Sequence, residues 1–158
     1  MNDISRYPGW MAGTIGIANE TGRAAVLALV AHDGKKDDLL SLARQYRSTL
    51  SRLHLIATSH TGSILAEALD LPVECTASGP QGGDLQIGAR IVDGDVDAVV
   101  FLRDPLMAHP HEPDIQALMK VCDVHGVPLA TNVASAEILL RSLSQAAYWG
   151  RQAAAIHT

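Results

Sequence analysis

From Ala24 onward, short apolar runs alternate with longer stretches whose apolar positions recur every three or four residues, and each junction holds a glycine, a proline or a polar cluster. That alternation is the signature of βα units. "AAVLALVA" (24–31) is aliphatic without alternation, as expected of a parallel strand covered on both faces. The pattern then predicts a helix over "DDLLSLARQYRSTL" (37–50), a strand over "LHLIAT" (53–58) and a helix over "TGSILAEAL" (61–69). A weaker third strand, "PVECTA" (72–77), precedes a helix opened by Asp84, "DLQIGARIVDG" (84–94). A fourth strand, "DAVVFL" (97–102), leads into a long loop and the helix "DIQALMKVCDVHG" (114–126). The short strand "VPLAT" (127–131) and a helix near "ASAEILLRSL" (134–143) complete the series.

Five strands alternating with helices predict a single-domain, three-layer α/β/α fold around a five-stranded parallel sheet, with right-handed crossovers. The polar clusters are distributed unevenly about this sheet. "HDGKK", "TSHTG", "SGPQGGD", "RDPLMAHPHEPD" and "TNVAS" each follow a strand, whereas the junctions that precede strands, such as "LDLP" and "DGDVD", are short and ordinary. All five clusters therefore belong to the carboxyl edge of the sheet, where open α/β sheets bind ligands. The domain is expected over residues 24–145. Residues 1–23 form an extension with no assigned role, and residues 146–158 a C-terminal tail. No repeat, low-complexity segment or linker suggests a second domain.

Composition supports a globular protein: 47% of the 158 residues are hydrophobic and 18% charged. The net charge of −5 provides no overall electrostatic reason to bind nucleic acid or an anionic membrane. No apolar run approaches the roughly 20 residues that cross a bilayer. Cys75 and Cys122 have no metal-ligand spacing and are too few for a secreted disulfide framework. They read as reduced thiols in a cytoplasmic protein.

The edge clusters hold two kinds of chemistry. Lys36, Thr58, Thr61, Ser78 and the amides around Gly79 are the residue types that bind a phosphate: a point charge, hydroxyl donors and N–H groups near helix starts. Taken singly, Thr61 reads as a helix N-cap and Lys36 as a solvated lysine; gathered on one edge, they make a phosphate pocket. Their spacing matches neither the nucleoside triphosphate loop nor the dinucleotide fingerprint. The second set is Asp33, Asp84, Asp104 and Asp114 with His32, His109 and His111, which is proton-transfer equipment. Several carboxylates in one cleft suppress each other's ionisation, so one can act as base while another stays protonated. Each also has a structural reading: Asp84 or Asp114 as a helix cap, Asp104 before Pro105 as a turn former, His32 as a packed core histidine. The HxH spacing of His109 and His111 admits a metal, but the intervening proline and the lack of a placed third ligand argue against one.

Five co-linear motifs, "LVAHDGKKDDLL", "ATSHTGSIL", "SGPQGGDLQIG", "FLRDPLMAHPHEPDIQAL" and "VPLATNVASAE", together resemble the methylglyoxal synthase family from about Val26 to Leu140. The resemblance implies conversion of dihydroxyacetone phosphate to methylglyoxal and inorganic phosphate, without metal or organic cofactor, in a homohexamer that inorganic phosphate inhibits. By matching motif it implies that Asp84 is the base and that His111 bonds the substrate oxygens and helps move protons. Asp33, Asp104 and Asp114 match further acids of the site. Lys36, Thr58, Thr61, Ser78 and Gly79 fall on phosphate-binding positions, with His32 and His60 also on the substrate side. One departure stands out: the family's "ATGTTG" is here "ATSHTG", which puts Ser59 and His60 in place of a glycine and a threonine.

A rival from another class is a non-catalytic ligand sensor, because the regulatory domain of carbamoyl phosphate synthetase shares the fold. Such a domain has no need of the acids that this chain carries. The cyclohydrolase of purine synthesis shares the superfamily too, but the "GGD" and "PHEPD" motifs fit the synthase.

Overall fold

The structure, a computed structural model, describes residues 24–156, with side chains as far as Ser144. The 1–23 extension lies outside the described residues. Strands β1 (Val26–Ala31), β2 (His54–Thr58), β3 (Glu74–Thr76), β4 (Ala98–Leu102) and β5 (Leu129–Ala130) form one parallel sheet in the order β3-β2-β1-β4-β5. β1 is central, and all six of its residues are buried, which explains its unbroken aliphatic sequence. Its alternate side chains serve two cores. Leu27, Leu29 and Ala31 face helices α1 (Lys36–Gln45), α3 (Ser59–Leu69) and α6 (Val133–Ile156), whereas Val26, Ala28 and Val30 face α4 (Gly83–Val92) and α5 (Glu112–His125). The result is the three-layer α/β/α architecture with both sheet faces covered.

The element boundaries depart from the expected ones in three places. The first helix is interrupted at Tyr46 (φ −104°, ψ 20°), and a single turn, α2 (Arg47–Leu50), follows. The bend buries Thr49 and Leu50, and the Thr49 hydroxyl meets that of Ser144 on α6. β5 is two residues long; Pro128 has no N–H to give the ladder, although its carbonyl accepts the N–H of Val99 at 2.9 Å. α6 runs to Ile156, so helix continues through the residues read as a tail.

Chain reversal sets the position of the site. After β1, the chain builds β2 and β3 on one side, then crosses back to place β4 on the other side of β1. The loops after β1 and β4 therefore part at the carboxyl edge and leave a crevice, as open sheets do where their strand order reverses. Among the described residues, no helix is long and apolar enough to cross a membrane.

Candidate active site

A cleft of about 450 Å³ opens at this crevice. The loops after β1, β2, β3 and β4 all contribute to it: His32, Asp33 and Lys36; Thr58 and His60; Ser78, Gly79 and Asp84; Asp104, His109 and His111.

The β3–α4 connection explains how Asp84 reaches the cleft. Ser78 precedes a 3-10 turn, Gly79–Gln81, and its carbonyl accepts the N–H groups of Gln81 at 3.0 Å and Gly83 at 2.8 Å. Gly82 turns the chain at φ 98°, a left-handed conformation that suits glycine. Gly83 then starts α4 against the end of the strand: a Cβ there would lie 2.0 Å from the carbonyl oxygen of Ala77. Asp84 follows as the second residue of α4 with no exposed surface. It is no helix cap, since neither carboxylate oxygen has a hydrogen-bond partner. Burial pushes its pKa above the ordinary carboxylate range, Asp114 adds to the rise, and His111 opposes it.

His111 is the residue that precedes α5, and its Nε2 stands 3.5 Å from Asp84 Oδ2. Gly79 leaves the space above both: a Cβ there would be 3.2 Å from His111 Nε2 and 3.5 Å from Asp84 Oδ2. His32 is 6% exposed, so the core-histidine reading holds, yet it also lines the cleft. Its Nδ1 accepts the N–H of Asp104 at 2.8 Å, which fixes the proton on Nε2, and that atom has no partner. Burial first, then the charges of His109, His111 and Arg103, lower its pKa to about 4, so the imidazole is neutral at physiological pH.

Across the cleft, the Lys36 ammonium is paired with Asp33, whose own carboxyl is held below the usual range by that bond. Lys36 is 14% exposed and Asp33 91%, so the lysine is no solvated surface cation while its counter-ion stands in solvent. His60 is in the first turn of α3 with Nδ1 3.9 Å from Asp33 Oδ1. The Thr58 hydroxyl points to that of Thr61 at 3.5 Å.

Eleven of the thirteen candidate residues line the cleft; Thr61 and Asp114 do not. Thr61 is the third residue of α3 and buried beneath Thr58, so it is not the N-cap its sequence position suggests; Thr58 occupies that place. Asp114 is likewise inside the first turn of α5 rather than at its cap, and it acts on the site through its charge on Asp84. Asp104 does form a turn, its Oδ1 accepting the N–H of Leu106 at 3.3 Å, and a Gly34 Cβ would lie 2.9 Å from its other oxygen. His109, expected from the sequence as part of the proton-transfer set and as half of an HxH pair, lines the cleft and stacks on His32. Chemically, the cleft brings a buried, unpartnered carboxyl together with imidazoles, an ammonium and hydroxyl groups.

Comparison with known proteins agrees with this geometry. The family model for the MGS-like domain matches residues 38–131. A methylglyoxal synthase of Burkholderia mallei (strain SAVP1) is 58% identical over 119 residues, 75% of this chain and 92% of the relative. One of Burkholderia vietnamiensis (strain G4 / LMG 22486) is 59% identical over the same length. The crystal structure of methylglyoxal synthase from Elizabethkingia anophelis NUHP1 superposes with a TM-score of 0.69 at 40% identity, covering 73% of this chain and 76% of that one. On sequence, fold and the residues gathered at the sheet edge, the chain belongs to the methylglyoxal synthase family.

Proposed function

We propose that this chain is a carbon–oxygen lyase that converts dihydroxyacetone phosphate to methylglyoxal and inorganic phosphate. The observation that carries the reading is Asp84: a carboxyl with no exposure and no hydrogen-bond partner, in a cleft that also holds a phosphate-type site. Burying an unpartnered carboxylate destabilises a fold, so a site built only to bind would not keep one. That argues against the regulatory-domain reading.

In the mechanism, Asp84 removes a proton from the substrate carbon that bears the hydroxyl, and the electron pair passes into the neighbouring carbonyl to give an enediolate. The imidazole N–H groups of His111 and His32 stabilise the oxyanion, and His111 supplies the proton that makes it an enediol. Loss of the hydroxyl proton on the first carbon then forms an aldehyde, shifts the double bond and breaks the C–O bond to phosphate. The enol so formed takes a proton on its methylene, releases the one on its hydroxyl and becomes methylglyoxal. Lys36, Thr58, Ser78 and the amide of Gly79 hold the departing phosphate, with His60 beside them, while Asp33 and Asp104 orient the substrate hydroxyl. Asp114 and Thr61 support Asp84 and Thr58 from behind. For elimination to outrun reprotonation, the pocket must hold the C–O bond out of the enediol plane, where it overlaps the π system.

The reading extends to a cytoplasmic homohexamer inhibited by its product phosphate. The free thiols of Cys75 and Cys122 suit a reducing compartment, and Leu106, Val124 and Ile138, each at least two-thirds exposed, supply apolar surface for assembly. Incubating the pure protein with dihydroxyacetone phosphate, while measuring released phosphate and trapped methylglyoxal together, tests the activity. Equal amounts of both are expected; isomerisation to glyceraldehyde 3-phosphate without phosphate release, or no reaction, overturns it.

A further inference from the structure

His109 and His32 lie face to face, with ring centroids 3.6 Å apart and planes 21° from parallel. They also hold one residue between them. The N–H of Asp104 donates to His32 Nδ1 at 2.8 Å, and the carbonyl of Asp104 is 3.2 Å from His109 Nε2. A carbonyl only accepts, so His109 Nε2 carries a proton and donates it. The backbone of residue 104 is thereby fixed from both sides by a pair of stacked imidazoles. Asp104 precedes a proline and opens a loop in which Leu106 and Met107 are largely exposed; its other bonds are local to that turn, Oδ1 accepting the N–H of Leu106 at 3.3 Å and the carbonyl that of Met107 at 3.5 Å.

We propose that His109 is a positioning residue: by stacking on His32 and holding the carbonyl of Asp104, it keeps the Asp104 N–H on His32 Nδ1 and so presents His32 Nε2–H to the substrate oxygens. The consequence is a donor of fixed tautomer. An imidazole free to exchange tautomers would present a lone pair to the oxyanion part of the time, and a lone pair repels it. His32 Nε2 is buried with no protein partner, as expected of a donor reserved for a ligand. The neutral state that the clamp requires is also favoured by the surroundings of His32, where burial comes first and His109, His111 and Arg103 act in the same direction. Glu112 alone opposes them from α5, and Asp33 is the other charged group within reach on the β1 side.

This inference rests on the lyase reading for its kinetic consequence but not for its structural one, and the test separates the two. The variant His109→Leu keeps apolar bulk against His32 while removing both the ring and the donor; His109→Gln restores an N–H donor without the ring. Two-bond ¹H–¹⁵N correlation spectra of the ligand-free protein, with His32 signals identified by their loss in His32→Asn, report the tautomer directly. Wild type is expected to show one neutral form with the proton on Nε2, His109→Leu a mixture, and His109→Gln a partial return. With dihydroxyacetone phosphate, kcat of His109→Leu is expected to fall about tenfold, while the affinity for inorganic phosphate stays within twofold. A single Nε2–H form in His109→Leu, or an unchanged kcat alongside a mixed tautomer, overturns the proposal. Absence of turnover in the wild type would overturn the lyase reading alone, because the spectra do not depend on it.

Discussion

His111 Nε2 stands 3.5 Å from Asp84 Oδ2, too far for a strong charge-assisted hydrogen bond and close enough to be felt across the cleft. The Asp84 carboxyl is therefore neighboured without being neutralised. Had His111 closed to ordinary bonding distance, the pair would satisfy each other and Asp84 would lose the raised basicity that burial confers. His111 Nδ1 is also buried and unpartnered, so no hydrogen bond to the protein fixes the imidazole through that atom.

Asp84→Asn keeps the shape and removes the base. Turnover should fall by roughly 10² to 10⁴ or more, with phosphate binding retained. Stability should move the opposite way. Because the folded-state pKa of Asp84 is raised, the unfolded chain releases its proton first as pH climbs past the ordinary carboxylate range, and the wild type loses stability across that window. The asparagine variant should therefore melt higher than wild type at pH 7, with the gap closing below about pH 4. Thermal scans across pH, beside a turnover assay, measure both; more than a tenth of wild-type kcat would place the base elsewhere.

His32 gives the opposite slope. Its pKa is depressed from 6.5 to about 4, so its stabilising contribution is complete above the unfolded value and is lost as pH falls toward the folded one. Wild type should lose stability between about pH 6.5 and pH 4 as the unfolded imidazole charges. His32→Asn places an oxygen where Nδ1 accepts the Asp104 N–H, and it does not titrate. Urea midpoints should fall less steeply for His32→Asn over this range. Parallel pH profiles would show that His32 charges without cost and is not held as a neutral donor.

The parts of this molecule legible in its sequence were those that local rules govern. β1 and β4 declared themselves because strands buried on both faces need unbroken aliphatic runs. The carboxyl-edge clusters followed from βα order alone. What escaped were features decided by distant contacts. Nothing near Tyr46 signals the break between α1 and α2, which answers to packing against α6 95 residues away. Thr61 and Asp114 carry good cap chemistry at positions the backbone does not use as caps. The stack of His109 on His32 joins loops after β1 and β4, so no spacing within either loop could announce it.

Two glycines four residues apart should fail differently when given a methyl group. At Gly83 a Cβ would lie 2.0 Å from the backbone oxygen of Ala77, which cannot yield without moving the strand end. Gly83→Ala should destabilise the fold by about 2 kcal/mol or more, the scale of overpacking. At Gly79 the Cβ would meet only side-chain atoms of His111 and Asp84, at 3.2 to 3.6 Å. Gly79→Ala should fold with little change in melting temperature yet lose kcat/KM at least tenfold, since the methyl occupies the space above the base. Denaturation curves and kinetics on both variants check the contrast, and a fully active Gly79→Ala would remove the reacting atoms from that space.

Inorganic phosphate should compete with dihydroxyacetone phosphate, and His60 should strengthen that competition. The Lys36 ammonium, largely shielded, is held by Asp33, and His60 Nδ1 is 3.9 Å from the same carboxylate oxygen. Two basic groups thus flank one solvent-exposed acid, which an arriving phosphate can displace at small cost because exposed ion pairs contribute little. A phosphate that displaces this acid can take a hydrogen bond from the imidazole in the first turn of α3 as well as from the ammonium. The measurement is the ratio of inhibition constants for inorganic phosphate, His60→Thr over wild type. That ratio should be about threefold, a modest pairing energy for a side chain two-thirds exposed. A ratio near one would take His60 away from the phosphate and leave Lys36 as its cation.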